Sequence, residues 1–200
     1  VELVDDQEET LPDGTRIRLP SMLFGRLGNN TLKKTLVIFG LLYRGEVDDR
    51  VKDRARPRGE AEAAEYVEAR LREVGLDPER FACAPRREGV VVRIPGRDRS
   101  RGALLVHGHL DCVPARADDW KVPPFGAEIH DDLGVPMLWG RGAVDMKDMD
   151  AMILAVVRSR VRNGVRPRRD VVVLFLPDEE AGSVHGSHWL VKHRPDLFEG

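Results

Sequence analysis

Two stretches constrain the fold more than any other: "GALLVHGHLD" at 102–111 and "DVVVLFLPDEE" at 170–180. Each is apolar at consecutive positions rather than alternate ones. A strand of that kind must be covered on both faces, as in an α/β sheet, and not on one face only. Each also runs within a few residues into side chains that bind metals or move protons. In open α/β sheets, ligands sit beyond the carboxyl ends of the strands, where loops converge on a rigid frame. The two runs therefore deliver His109, Asp111, Asp178, Glu179 and Glu180 to one rim.

Helical patterns separate the strands. "PRGEAEAAEYVEARLREVG" opens with Pro57, repeats apolar residues at Ala64, Val67, Leu71 and Val74, and closes at Gly75, a good residue for ending a helix. "GVVVRIPG" reads as a strand, and "RGALLVHG" as an interior one. After "GRGAVD" a second helix carries a stripe of Met149, Met152, Ile153, Val156 and Val157 and stops at Gly164. The expected fold is α/β, a mostly parallel sheet with helices on both faces. The 200 residues carry a formal net charge of −2, which offers no basic excess to attract nucleic acid or membrane, so neither is expected as a partner. Two cysteines, no apolar run long enough to span a bilayer, and an acidic start unlike a signal peptide lead to a cytoplasmic reading.

His109 and Asp111 form H-x-D. Residues two apart in extended chain point the same way, so the carboxylate can orient an imidazole that binds a metal. The plain alternative is a hydrogen-bonded histidine at a strand end. His107, two residues earlier, still lies within the strand. Asp145 stands just before the second helix, where a carboxylate can simply cap the helix. Consecutive acids at 178–180 repel one another unless a cation lies among them. Together, His109, Asp145 and Glu180 supply nitrogen and oxygen ligands for a zinc-like ion, and Glu179 is left as a general base.

The ordered set "GHLDCVP", "GRGAVDMKD" and "DEEAGS" resembles the co-catalytic zinc metallopeptidases that include cytosolic dipeptidases, aminoacylases, desuccinylases and glutamate carboxypeptidases. The resemblance runs over 57–200. It implies a zinc-exopeptidase-like fold, incomplete here, and hydrolysis of an amide or peptide bond in a small peptide or N-acyl amino acid. It further implies that His109 binds one zinc, Asp145 bridges two, and Glu180 binds one. Asp111 would hold His109, and Glu179 would take the proton of the attacking water. His107 falls at a position that is not a ligand in that motif.

The chain departs from the family pattern in length. The second zinc's own carboxylate and a later histidine are expected beyond Gly200, so at most one ion is expected to be well bound. The lid domain is expected there too, and with it any homodimer. The reading is thus residues 51–200 as the N-terminal part of a catalytic domain, with an inactive fragment or pseudoenzyme as the alternative. Residues 1–50 are an extra segment: its "LPDGTRIRLPSMLFGRLGNNTLKKTLVIFGLLYRG" resembles the stretch before the metal motif in carnosinase-like dipeptidases, with Leu41 and Tyr43 where His109 and Asp111 would stand. Residues 35–43 are expected to form a strand without chemistry at a sheet edge. Three smaller expectations complete the reading. The loop in "HDDLGVPMLWGRG" is extended, His185 and His188 lie on a solvated helix face, and Trp120 and Phe125 pack their loop.

Overall fold

The computed structural model describes residues 7–10, 16–19, 59–132 and 134–199. Residues 35–43, and the expectation of a strand there, lie outside them. Near the start, β1 (Gln7–Thr10) and β2 (Arg16–Leu19) pair antiparallel. Helix α1 (Ala61–Arg72) buries Ala64, Val67 and Leu71 as the spacing required, with Tyr66 beside them. Gly75 at φ 82° ends it, the N–H groups of Gly75 and Leu76 turning back to the carbonyls of Arg72 and Leu71.

The main sheet has the order β3 (Glu79–Ala84), β4 (Arg87–Ile94), β8 (Val171–Leu176), β5 (Leu104–His109). The α/β class is as expected, but the mostly parallel sheet is not. Among the described strands of this sheet, β3–β4 and β4–β8 are antiparallel, and β5–β8 alone is parallel. Connection length explains the difference. Two residues, Pro85 and Arg86, join β3 to β4, and so short a link permits only an antiparallel pair. The parallel pair is the one whose crossover contains a helix, α2 (Asp148–Arg162). The sequence also gave no warning of β3, whose "ERFACA" has a single buried apolar residue, Phe81.

Both faces of the sheet are covered. α1 and α2 pack on Val90, Val92, Val173 and Phe175, while α3 (Ser187–His193) brings Leu190 onto Val91, Val172, Leu174 and Leu176. Alternate residues of β4 and β8 thus feed two cores, which is why β8 is apolar throughout and β4 at Val90, Val91 and Val92. β5 differs. It is the outer strand of the described sheet rather than an interior one, and its Leu104 and Leu105 are 48% and 41% exposed.

The apolar stripe read on α2 is also not its buried face. The helix buries Asp150, Ala151, Leu154, Ala155, Val157 and Arg158. Of the expected stripe, only Val157 is among them; Met149, Met152, Ile153 and Val156 line an open groove of about 610 Å³ against Leu104 and Val106 of β5. The helix therefore has two apolar stripes, and the described residues cover one. One loop expectation fails as well. β6 (Glu128–Asp132) and β7 (Val135–Trp139) form a tight hairpin, because Pro136, Met137 and Leu138, read as loop, pair in register with Asp131, His130 and Ile129.

Candidate metal centre

β5 and β8 run side by side and end together, His109 opposite Leu176. The chain beyond each carries the acids. After β8, Asp178 turns the backbone at φ 65° and is buried. Its carboxylate pairs with Arg87 at 3.4 Å and accepts the His185 N–H at 2.8 Å. Arg87 also binds Glu60, which is buried at the start of α1. Asp178 is thus a bracket for the turn, which leaves Glu179 and Glu180 to point outward. Nothing in the sequence marked Arg87 or Glu60 for this role, since the ion pairs span 27 and 91 residues of separation.

Asp145 arrives from the other side. Gly142, in the left-handed conformation at φ 76°, opens an irregular turn over Ala143–Lys147 in which Asp145 (φ −122°, ψ 95°) is not helical. No side chain caps α2, so the capping explanation for Asp145 does not hold. Its oxygen Oδ1 lies instead 3.2 Å from His109 Nε2. One ligand atom each from His109, Asp145 and Glu180 falls within 4.8 Å of the others. The three side chains picked from the sequence as ligands therefore meet at one point. Glu179 reaches the same imidazole edge, its Oε2 3.7 Å from Nε2.

Asp111 stands behind them, buried. His109 Nδ1 lies 3.2 Å from the Asp111 carbonyl and 3.3 Å from its Oδ1, so the ring proton is held on that side and Nε2 faces the acids. The other carboxylate oxygen accepts the Glu180 N–H at 2.9 Å. One aspartate thereby fixes both a histidine on β5 and the chain after β8. Burial opposes its ionisation, but the imidazole and the main-chain N–H groups of Glu180 and Glu179 outweigh it and hold its pKa below the usual value. The same contacts act on His109. Asp111 first, against the cost of burial, and then Asp145 and Glu179 raise its pKa to about 9. Glu180 is pushed up by burial and then by the charge of Asp145. An imidazole stabilised as a cation, beside a carboxylate that resists ionisation, is what a set of donors shows when its positive charge comes only from a proton.

Two buried charges beneath the site were not anticipated. Lys147 donates to the carbonyl of Leu110, between His109 and Asp111. Asp150 is fully buried with neither oxygen hydrogen-bonded, and burial, partly offset by Lys147, raises its pKa to about 7. Its Oδ1 occupies the space a side chain at Gly108 would need, so that glycine is required for close approach. The available signal was an aspartate on the buried face of α2, in phase with Leu154, Val157 and Arg158.

Other candidates separate from the centre. His107 is exposed on β5 and does not belong to the three-residue group. His185 and His188 are exposed, but only His188 lies in α3, so the two do not share a helix face. Trp120 is half-buried, with the Arg141 guanidinium, from beyond the β6–β7 hairpin, 5.3 Å from its ring centre.

Comparison with known proteins agrees with this geometry. Residues 105–200 match the model described as Peptidase family M20/M25/M40. Aminoacylase-1A of Rattus norvegicus is 34% identical over 135 residues, 68% of this chain and 32% of the relative. Succinyl-diaminopimelate desuccinylase of Maricaulis maris is 35% identical over 142 residues, 70% of this chain and 34% of the relative. The chain thus spans about a third of the length of these curated relatives. Among solved structures, an M20 family metallo-carboxypeptidase from Sulfolobus solfataricus has a similar fold, with a TM-score of 0.62 at 22% identity, covering 84% of this chain and 35% of that one. Human carnosine dipeptidase 1 gives a TM-score of 0.58 at 23% identity, covering 84% and 39%. β5, β8, the turn and the three converging side chains all fall within or beside the matched segment, so the likeness to the Peptidase family M20/M25/M40 rests on residues 105–200.

Proposed function

We propose that this chain carries the first half of a zinc-dependent amide hydrolase site of the dipeptidase or aminoacylase type, acting in its complete form on small peptides or N-acyl amino acids. The observation that carries the reading is the convergence of His109, Asp145 and Glu180 within 4.8 Å, with Asp111 bonded to two of the three. A nitrogen and two carboxylates suit zinc, and the site's own electrostatics call for positive charge. His109 Nε2, Asp145 and Glu180 would hold the ion, and Asp145 would share a second one in the complete form. Zinc bound there supplies Lewis-acid polarisation of a carbonyl and acidifies water.

The remaining steps belong to the protein's own groups. Asp111 keeps the His109 proton on Nδ1, so that Nε2 is free to coordinate. Glu179, exposed and bonded to no main-chain donor among those described, accepts a proton from water on a carboxylate oxygen and delivers it to the departing amine nitrogen. His109, Asp145 and Glu180 form one such group among the described residues, and at most one ion is expected to be well bound in this chain.

The test is zinc titration of two neighbouring variants. Glu180→Gln replaces a ligand with a poorer one and should weaken binding by at least about tenfold, while Glu179→Gln should leave affinity within about twofold. Equal losses in the two would refute the division between ligand and base.

A further inference from the structure

The topology of the sheet sorts charge along its length. β5 and β8 both start at the end where they receive chain from 95–103 and 163–170, α2 finishes there, and β4 finishes there too. Arginines crowd this end: 93, 97, 99 and 101 at the end of β4 and in the connection after it, and 158, 160, 162, 166, 168 and 169 at the end of α2 and in the connection after that. The two loops are bonded to each other, Arg97 N–H to the Pro167 carbonyl and Asp98 N–H to the Arg168 carbonyl, each at 2.9 Å, so their arginines form one surface.

Four acids face this cluster. Asp170, buried, holds Arg93 and Arg99 and accepts the Gly96 N–H. Glu73 holds the buried Arg158. Asp98 is bonded to Ser100, and Glu199 contributes its carbonyl to Arg93. Arg97, Arg101, Arg160, Arg162, Arg168 and Arg169 are exposed, and none has an ion pair or side-chain hydrogen bond with any described residue. The net charge of −2 concealed this surface, because a sum over the chain carries no positions. The sequence-based exclusion of anionic partners, which relied on that sum, does not stand as a premise.

We infer that the arginine-rich end of the sheet is a docking surface for an anionic phospholipid bilayer. Charge complementarity selects an anion. The neighbours of the arginines select a lipid: Leu104, Leu105 and Val165 are 48%, 41% and 44% exposed among them, and apolar side chains beside basic ones suit a headgroup and acyl boundary. Segments 93–106 and 149–173 contain no aromatic residue on which a base could stack. Because β5 is six residues long, docking at this end leaves the metal centre roughly 20 Å away and open to solution.

The experiment is co-sedimentation of the 200-residue chain with vesicles of phosphatidylcholine alone or with about 30% phosphatidylserine, at roughly 0.15 M salt. Binding should require phosphatidylserine. Replacing Arg97, Arg101, Arg162 and Arg168 together by Gln should weaken it on the order of 10²-fold or more, and replacing the same four by Lys should largely preserve it. No binding that depends on phosphatidylserine, no loss in the Gln variant, or tighter binding to a short DNA duplex than to the vesicles would overturn the inference. Should the Gln variant fail to fold, salt titration of the unmodified chain decides: release by about 0.5 M salt supports the surface, and retention rejects it.

Discussion

The two ends of one sheet solve the same electrostatic problem in different ways. At the carboxyl end, like charges are held together by bonds that converge: Asp111 ties His109 to Glu180, and Arg87 ties Asp178 to Glu60. Among the described residues at the amino end, Arg93, Arg99 and Arg158 are tied to acids, Arg166 donates to the Gly96 carbonyl, and the other six arginines extend into solvent. Buried, bonded charges have fixed positions, whereas exposed arginines do not. Fixed charge is what a coordination site needs, since ligand atoms must meet within an ångström or so. Mobile charge suits a surface without fixed geometry.

The largest effect should come from protons at the fixed end. His109 must lose its proton to bind zinc, and its pKa of about 9 lies well above its ordinary value. A raised histidine pKa stabilises the fold below the ordinary value, and that contribution is lost as pH rises through 9. Zinc reverses the preference by taking the neutral ring. Zinc affinity should therefore rise about tenfold per pH unit from pH 6 towards pH 9, roughly 10²–10³-fold in all, with one proton released per ion from this residue. Calorimetry in buffers of different ionisation enthalpy counts those protons. A flat affinity across that range would mean that Asp111 and Asp145 do not hold the ring as described.

How much of this was legible follows the same division. The three converging side chains could be read because strand pattern and short-range spacing place them: six apolar residues fix where β8 stops, and Glu180 follows four positions later. β4 and β8 could be read as buried for the same reason. What could not be read depends on partners distant in sequence. Arg87 finds Asp178 only because β4 lies beside β8, and β5, apolar like an interior strand, is the outer strand of the described sheet. The helix stripe misled because α2 has apolar residues on two faces, and periodicity alone does not say which one is packed. The arginine surface was hidden by summation, since a net charge carries no positions.

A smaller effect lies just beneath the centre. Asp150 has a pKa of about 7, so the folded chain retains a proton that the unfolded chain releases near pH 4. Between those values the native state binds more protons, and stability must fall as pH rises from about 4 to 7, by roughly 2–4 kcal/mol from this group. Asp150→Asn should remove that slope, whatever it does to absolute stability through the loss of a counter-charge for Lys147. Urea unfolding at several pH values measures it. A slope that persists in the variant would place the titration elsewhere and leave Asp150 ionised.

The smallest effect belongs to the mobile end, and its sign is the informative part. Arg97, Arg101, Arg162 and Arg168 hold no described partner, so their mutual repulsion is not offset by any bond that neutralisation would break. Changing all four to Gln should leave Tm unchanged or raise it by about 1–3 °C, the shift expected of a fraction of a kcal/mol to about 1 kcal/mol in a chain of this size. Added salt should raise the Tm of the unmodified chain by a similar amount and that of the variant by less, because salt screens exposed charges. Zinc affinity should not move, since these side chains stand about 20 Å from the ligands, two Debye lengths at ordinary ionic strength. A fall in Tm would show that the arginines hold the loops together through contacts with the rest of the chain, and the contrast between a bonded end and an unbonded one would fail.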